Sequence, residues 1–380
     1  MNNLTNKKIA IIGGGPGGLT LARLLQLSGA DVKVYERDVD KDARMKGATL
    51  DLHHESGLKA LHAAGLMEAF WANYRPGADY MRITDQHATI VMEDNADGEG
   101  EYARPEIDRG PLQNILLESL QPGTVVWGSQ FVALTPQGSS WKVDFKNGTA
   151  IVADLVIAAD GANSKIRPYI TPIKPFYAGV TAIEGAVYNA ATASPKIHEL
   201  LNGGKIFAFG DEKSLIVSAK GDGSLVFYPG FKADENWVKK SGIDFADKAQ
   251  LTEWFKETYI GWNSIWLELF ENASAAFIPR AQYCMPLNQT WEALPNLTML
   301  GDAAHLMPPY AGEGVNMAML DALELSECLT SEDFPDTLAA ITTYEKQMRA
   351  RASETADMTM QSTAALHSPD AISFMLNIFS

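Results

Sequence analysis

Apolar positions along this chain follow two rhythms, short unbroken runs and helical stripes, and their alternation sets out the elements. Ile9, Ala10, Ile11 and Ile12 form a run too short for a globular helix and right for a central parallel strand. Leu19, Leu21, Ala22, Leu24, Leu25 and Leu27 then recur at helical spacing, Gly29 stops the helix, and Val32 and Val34 begin a second strand. A short strand is expected at Gly47–Leu52 and a helix at Ser56–Phe70. Tyr80–Thr84 and Ala88–Met92 alternate as strands do, and the acidic stretch Glu93–Glu101 reads as a solvated hairpin tip without calcium-loop spacing. Pro105–Leu120 reads as a helix with Asp108 as its N-cap and Leu112, Ile115, Leu116 and Leu120 on one face. Small strands are expected at Val125–Leu134, Trp141–Phe145 and Ala150–Ala153. Leu155–Ala159 is a second buried run, ending on Asp160–Gly161, and Ser164 opens a short helix.

From Thr171 to about Tyr283 the pattern changes to hairpin spacing, with strands at Ile206–Phe209, Leu215–Ser218 and Leu225–Tyr228. A Trp-rich helical stretch follows at Gln250–Phe270, and Trp237, Trp254, Trp262 and Trp266 read as core. This antiparallel block looks like a second domain inserted into the first. The earlier pattern resumes at Asn296, with a third buried strand at Leu297–Leu300 ending on Gly301–Asp302. Helices are expected at Val315–Leu329 and Asp336–Ala365. The apolar tail from Asp370 lacks basic residues, so it is expected to dock on its own protein and not on a membrane.

Composition narrows the classes. A chain of 380 residues with 46% hydrophobic and 21% charged residues suits a globular enzyme of two domains. A formal net charge of −16 argues against nucleic acid and against anionic membranes. No apolar run approaches a membrane span, and the N-terminus lacks a signal-peptide core. Cys284 and Cys328 have neither metal nor redox spacing, which fits a cytoplasmic protein without a metal site.

Chemistry concentrates at Lys8–Arg37. Gly13, Gly15 and Gly18 give G-x-G-x-x-G: the first permits a tight turn, the second lets a pyrophosphate approach the backbone, and the third lets helix and strand pack closely. Glu36 ends the second strand, where a carboxylate can take the ribose hydroxyls of an adenosine. Strand, turn, helix, strand and acid in this order point to a bound dinucleotide, and the free acid suits NAD or FAD better than NADP. The three strand ends at Gly13–Gly18, Asp160–Gly161 and Gly301–Asp302 would meet on the carboxyl edge of one sheet.

That trio resembles the group A flavoprotein aromatic hydroxylases, and nearly end to end the chain resembles one branch, the tetracycline-inactivating TetX-type monooxygenases. The passages GATLDLH, ADLVIAADGANSKIR and TMLGDAAHLMPPYAGEGVN carry the likeness. The resemblance implies an α/β fold: a Rossmann-like FAD-binding domain, an inserted, mostly antiparallel β substrate domain, and a long C-terminal helix. It divides the chain into an FAD-binding domain at 1–76, 102–170 and 286–330, a hairpin at 77–101 that joins the substrate domain at 171–285, and a bridging helix and tail at 331–380.

The implied cofactor contacts are Gly13, Gly15, Pro16 and Gly18 at the pyrophosphate, Glu36 on the adenosine ribose, and Arg37 against the adenine. Arg109 would reach the pyrophosphate or ribityl region, Asp302 the ribityl hydroxyls, and Asp51 the flavin-side edge. Pro309 and Gly312 to Asn316, with Gly314 and Val315 between them, would pass under the pyrimidine end of the ring. Asp160 would shape a turn beneath the cofactor, and His305 reads as structural. The family's substrate site uses a Gln, an Arg and a His where this chain has Glu184, Lys205 and Val226, while Phe207 keeps an apolar wall beside Pro309 and Gly312. Glu313 likewise replaces a neutral amide.

The implied reaction is oxygenation of a polycyclic or phenolic substrate, tetracyclines foremost, by FAD, O2 and NADPH or NADH. Oxygen transfer is carried by the flavin and by no catalytic side chain. No second G-x-G-x-x-G exists, so the nicotinamide is expected to bind transiently, and a monomer is expected. A flavin halogenase would carry W-x-W-x-I-P, which this chain lacks, and a simple NAD dehydrogenase would not need Gly301–Asp302. A non-catalytic flavin- or drug-binding protein is the remaining alternative.

Overall fold

In a computed structural model that describes residues 4–43, 49–94 and 104–378, the first apolar run is strand β1 (Lys8–Ile12). Helix α1 (Pro16–Leu27) and β2 (Asp31–Tyr35) complete a βαβ unit, with the Gly13 N–H donating to the Tyr35 carbonyl at 3.0 Å. Strand β3 (Thr49–Asp51) follows; residues 44–48, where its predicted start falls, lie outside the described residues. The helix expected at Ser56–Phe70 is two, α2 (Gly57–Ala63) and α3 (Met67–Trp71), because Gly65 takes φ +71° and ends the first. β4 (Met81–Asp85) and β5 (Ile90–Asp94) pair as a hairpin, whose tip also falls mostly outside the described residues.

The helix expected from Pro105 starts later. Glu106–Asp108 is strand β6, antiparallel to β3, and α4 spans only Arg109–Glu118. Asp108 keeps the N-cap position, yet its carboxylate accepts the Gly221 N–H at 2.9 Å and caps nothing. β7 (Val125–Val126) and β8 (Phe131–Gln137) replace the single strand expected at Val125–Leu134, since Gly128 at φ +66° breaks it. β8, β9 (Ser140–Phe145) and β10 (Ala150–Ala153) form a small antiparallel sheet ahead of β11 (Leu155–Ala158).

The second unit begins with β12 (Phe176–Val187), followed by α5 (Ala190–Ala193) and α6 (Pro195–Leu201). Strands β13 (Lys205–Gly210), β14 (Lys213–Ala219) and β15 (Leu225–Lys232) run as hairpins. Helices α7 (Trp237–Lys240), α8 (Lys248–Thr258) and α9 (Leu267–Glu271) precede β16 (Ile278–Cys284). The Trp-rich helix is therefore interrupted, and Gly261 at φ +86° lies in the gap. Seven strands order as β16-β12-β15-β14-β13-β4-β5, antiparallel except where β13 runs parallel to β4. One face of this sheet packs Ile183, Ile206, Leu215 and Phe227 against the helices, with Trp254, Trp262 and Trp266 buried in that core and Trp237 packed against it.

The chain then returns through β17 (Leu297–Met299), α10 (Asp302–His305) and α11 (Gly314–Thr330). The parallel sheet runs β17-β11-β1-β2-β7, with every pair parallel. Its carboxyl ends lie along one edge, as the sequence implies. A 30-residue helix, α12 (Thr337–Leu366), spans the two units. Near its start Tyr344 donates to the Met299 carbonyl and Glu345 accepts from Thr298 and Trp291; at its far end His367 bonds Ser214 of β14. The tail forms α13 (Ala371–Ile378), whose Ala371 and Met375 pack on Met81, Ile83 and Phe209, so it docks on its own protein. Among the described residues no helix is long and apolar enough to cross a membrane.

Candidate functional site

The edge of the parallel sheet collects the predicted cofactor residues. A Cβ on Gly13 would lie 2.1 Å from the Ala159 carbonyl oxygen, and one on Gly18 would lie 2.2 Å from the Gly13 carbonyl oxygen, so both glycines exist for backbone packing. Gly15 differs: nothing lies within 4 Å of where its Cβ would be. It is the extended N-cap of α1, with Pro16 in the first turn, so open space faces the helix's free N–H groups. Glu36 is fixed beside it, accepting the Gly14 N–H at 2.6 Å and the Asp38 N–H at 3.0 Å. Arg37 is exposed at the same strand end.

Asp160 ties down its own loop: one oxygen accepts the Lys165 N–H at 2.7 Å, while the other is buried without a protein partner. Burial raises its pKa, against hydrogen bonds from Ser164 and the loop backbone. Asp302 opens α10, and burial raises its carboxyl against the positive charges of His305 and Arg109; Arg109, at the start of α4, is itself exposed. Gly301 and Asp302 are held from behind by Asp321, which accepts the Gly301 N–H at 2.8 Å, His305 Nε2 at 2.6 Å and Arg351 Nη2 at 2.6 Å. His305 has a structural partner that sequence does not reveal.

Below this edge the Pro309–Asn316 loop meets β3. Pro309 is exposed and accepts the Gly312 N–H at 3.0 Å; Gly312 has φ +74°, and Gly314 begins α11 with Val315 half-buried behind it. Asn316 is fully buried: its Oδ1 accepts the His53 N–H at 3.0 Å and its Nδ2 donates to the Asp51 carbonyl at 2.9 Å. The Asp51 carboxylate lies 3.3 Å from where a Gly312 Cβ would sit. Burial works to raise its pKa, but the His53 hydrogen bond and the charges of Lys205 and His53 hold it below the usual range. Glu313 is raised by burial, against His53 and Arg104.

An FAD fits these residues. An anion-binding helix terminus faces open space at Gly15, an unpartnered carboxylate oxygen lies at Asp160, and a glycine turn keeps a side chain away from Asp51.

Strand register puts Glu184, Lys205, Phe207 and Val226 on one face, opposite the helix-packed core. Their surroundings are not open. Arg280 grips Glu184 with Nε at 2.7 Å and Nη2 at 2.5 Å. Lys205 is ion-paired to Glu106 of β6, and Val226 is buried beside Ser218, whose hydroxyl meets Thr49 of β3 at 2.9 Å. Phe207 joins Tyr310 around the Met81–Phe209 cluster. Glu106 and Arg280 escaped the sequence reading because their partners, Lys205 and Glu184, are distant in the chain; His53 escaped it although its partner Asp51 lies two residues away in the same GATLDLH passage, because its second carboxylate, Glu313, comes from the N-terminus of α11. A second unforeseen network links Ser214 to His367 Nε2 at 3.1 Å and His367 Nδ1 to the Thr363 carbonyl at 2.8 Å. Burial lowers the His367 pKa, against the Thr363 hydrogen bond.

A family model for an FAD binding domain matches residues 6–260 and 289–359. The chain is 29% identical to monooxygenase asqM of Emericella nidulans, over 93% of this chain and 94% of that one. It is also 29% identical to 3-amino-4-hydroxybenzoate 2-monooxygenase PtmB3 of Streptomyces platensis, over 97% and 91% respectively. Its fold superposes on the crystal structure of tetracycline destructase Tet(55) with a TM-score of 0.77, 19% identity, and coverage of 98% of this chain and 94% of that one.

Proposed function

The chain belongs to the FAD-binding-domain family of flavoprotein monooxygenases, and from that premise we propose that it oxygenates a polycyclic or phenolic substrate, a tetracycline foremost. The reductant in this reading is NADPH, with NADH as the alternative. FAD, when bound, supplies electron transfer from the nicotinamide to O2 and passage of one oxygen atom to the substrate. The protein's own residues bind, orient and exclude water. Gly15 and the first turn of α1 receive the pyrophosphate, Glu36 the ribose, and Asp302 with Arg109 the ribityl region. The Pro309–Asn316 loop underlies the ring, with the N–H groups and positive end of α11 directed at it. Phe207 gives the substrate an apolar wall, while Val226 is buried and offers it little surface.

One observation carries the substrate class: the charges on the substrate face are already answered within the protein. Glu184 is neutralised by Arg280 and Lys205 by Glu106. A face of that kind suits a large, flat ring system better than a small anion that needs a free cation. The departures at Glu184, Lys205 and Val226 favour a second reading, a different small aromatic or natural product, on the same cofactor site.

Incubating the purified, FAD-loaded protein with NADPH, O2 and a tetracycline panel tests the proposal. A product heavier by one oxygen atom is expected. Oxygenation confined to a phenolic panel would select the second reading, and tight drug binding without turnover would select a sequestering protein.

A further inference from the structure

Two carboxylates close on the Gly312 turn, Asp51 from β3 and Glu313 from the N-terminus of α11, and one imidazole stands between them. His53 is 3% exposed, with Nε2 3.1 Å from Asp51 Oδ2 and Nδ1 3.5 Å from Glu313 Oε1. Its backbone N–H is held by Asn316, which also holds the Asp51 carbonyl. The ring is thus fixed through the main chain as well as through its nitrogens, and removing it leaves two acids facing each other. The remaining charges around the cluster are Glu55, largely exposed and 4.0 Å from Nδ1; Arg104, which faces Glu313; and Lys205, which faces Asp51 but is already paired to Glu106.

This cluster lies on the loop assigned above to the flavin ring. Reduction would place negative charge on a ring bound over that loop, and fixed charges close to it in a half-buried site would act on it strongly. Two uncompensated carboxylates would oppose reduction. We propose that His53 is a positioning residue for the flavin: standing between Asp51 and Glu313, it holds the two carboxylates apart and engages both on its own ring nitrogens, and thereby sets the reduction potential of bound FAD. The proposal rests on the cofactor reading and its placement of the ring, and is independent of the substrate and of the nicotinamide.

The test uses FAD-loaded wild type, His53→Gln, Glu313→Gln and the double variant, titrated anaerobically with dithionite against a reference dye. FAD affinity by fluorescence quenching and melting temperature are read in parallel. Relative to wild type, H53Q should shift the midpoint potential down, E313Q should shift it up, and the double variant should return close to the wild-type value. Should H53Q fail to fold, His53→Asn takes its place and must likewise shift the midpoint potential down. Equal potentials throughout, or shifts of the same sign in both single variants, overturn the proposal; so does a loss of FAD affinity or melting temperature without opposed shifts, which marks a merely structural histidine. Opposed shifts without oxygenated product would uphold it while the substrate reading fails. A wild-type chain that takes up no FAD overturns the cofactor reading and this proposal together.

Discussion

Asp321 is completely enclosed, and its two oxygens answer Gly301, His305 and Arg351 at once. Burial pushes its carboxyl up, but the charge and hydrogen bond of His305 and the charge of Arg351 hold it below the ordinary range. Burial pushes His305 down, and the Asp321 charge and hydrogen bond carry it above the ordinary range. For Asp321 the stabilisation is present above the unfolded pKa of about 4 and lost as pH falls through the lower folded value. For His305 it is fully present below about 6.5 and lost as pH rises through the higher folded value. The pair therefore stabilises most between about pH 4 and 6.5, and melting curves across pH should show H305Q losing the alkaline part of the decline. Replacing Asp321 by Ala leaves the buried His305 unanswered and Arg351 with Glu324 alone, and equilibrium unfolding should register a loss of about 3–5 kcal/mol. The sequence suggested His305 as structural but could not name Asp321, because the pair forms only when α10 folds against α11.

At the scale of elements, the β1–α1–β2 unit separates two uses of glycine. G18A forces a Cβ against the Gly13 carbonyl and should lower the melting temperature of the FAD-free protein. G15A meets open space, so the FAD-free protein should melt near the wild-type temperature while FAD affinity falls at least tenfold, read by flavin fluorescence; a tenfold loss is about 1.4 kcal/mol. This unit was legible because the contacts among its own strand, turn, helix and strand lie within thirty residues, and the period of its apolar positions fixes strand and helix alike. Pro105–Asp108 was not. Their local signals fit a helix start, and only pairing with β3, more than fifty residues earlier, makes Glu106–Asp108 a strand. The same long-range pairing carries Glu106 to Lys205, which explains why Lys205 read from sequence as a free substrate ligand.

Across the whole molecule, two sheets with separate cores are joined by α12, and α13 continues from it onto the second sheet. The apolar side chains of α13 cover Met81, Ile83 and Phe209, so truncation after His367 would expose that cluster. Met375→Asp should lower the melting temperature and raise dye-detected apolar exposure, with a cost of roughly 2–5 kcal/mol for losing the buried side chain. The helix itself imposes a further constraint, because its two ends answer to different partners: Tyr344 to Met299, and His367 to Ser214. Adding one residue after Ser353 would rotate everything downstream by about 100° and advance it about 1.5 Å, carrying the histidine off its serine and α13 off its seat. Divergent copies of this chain should therefore vary in the exposed side chains of α12 and hardly at all in its number of residues.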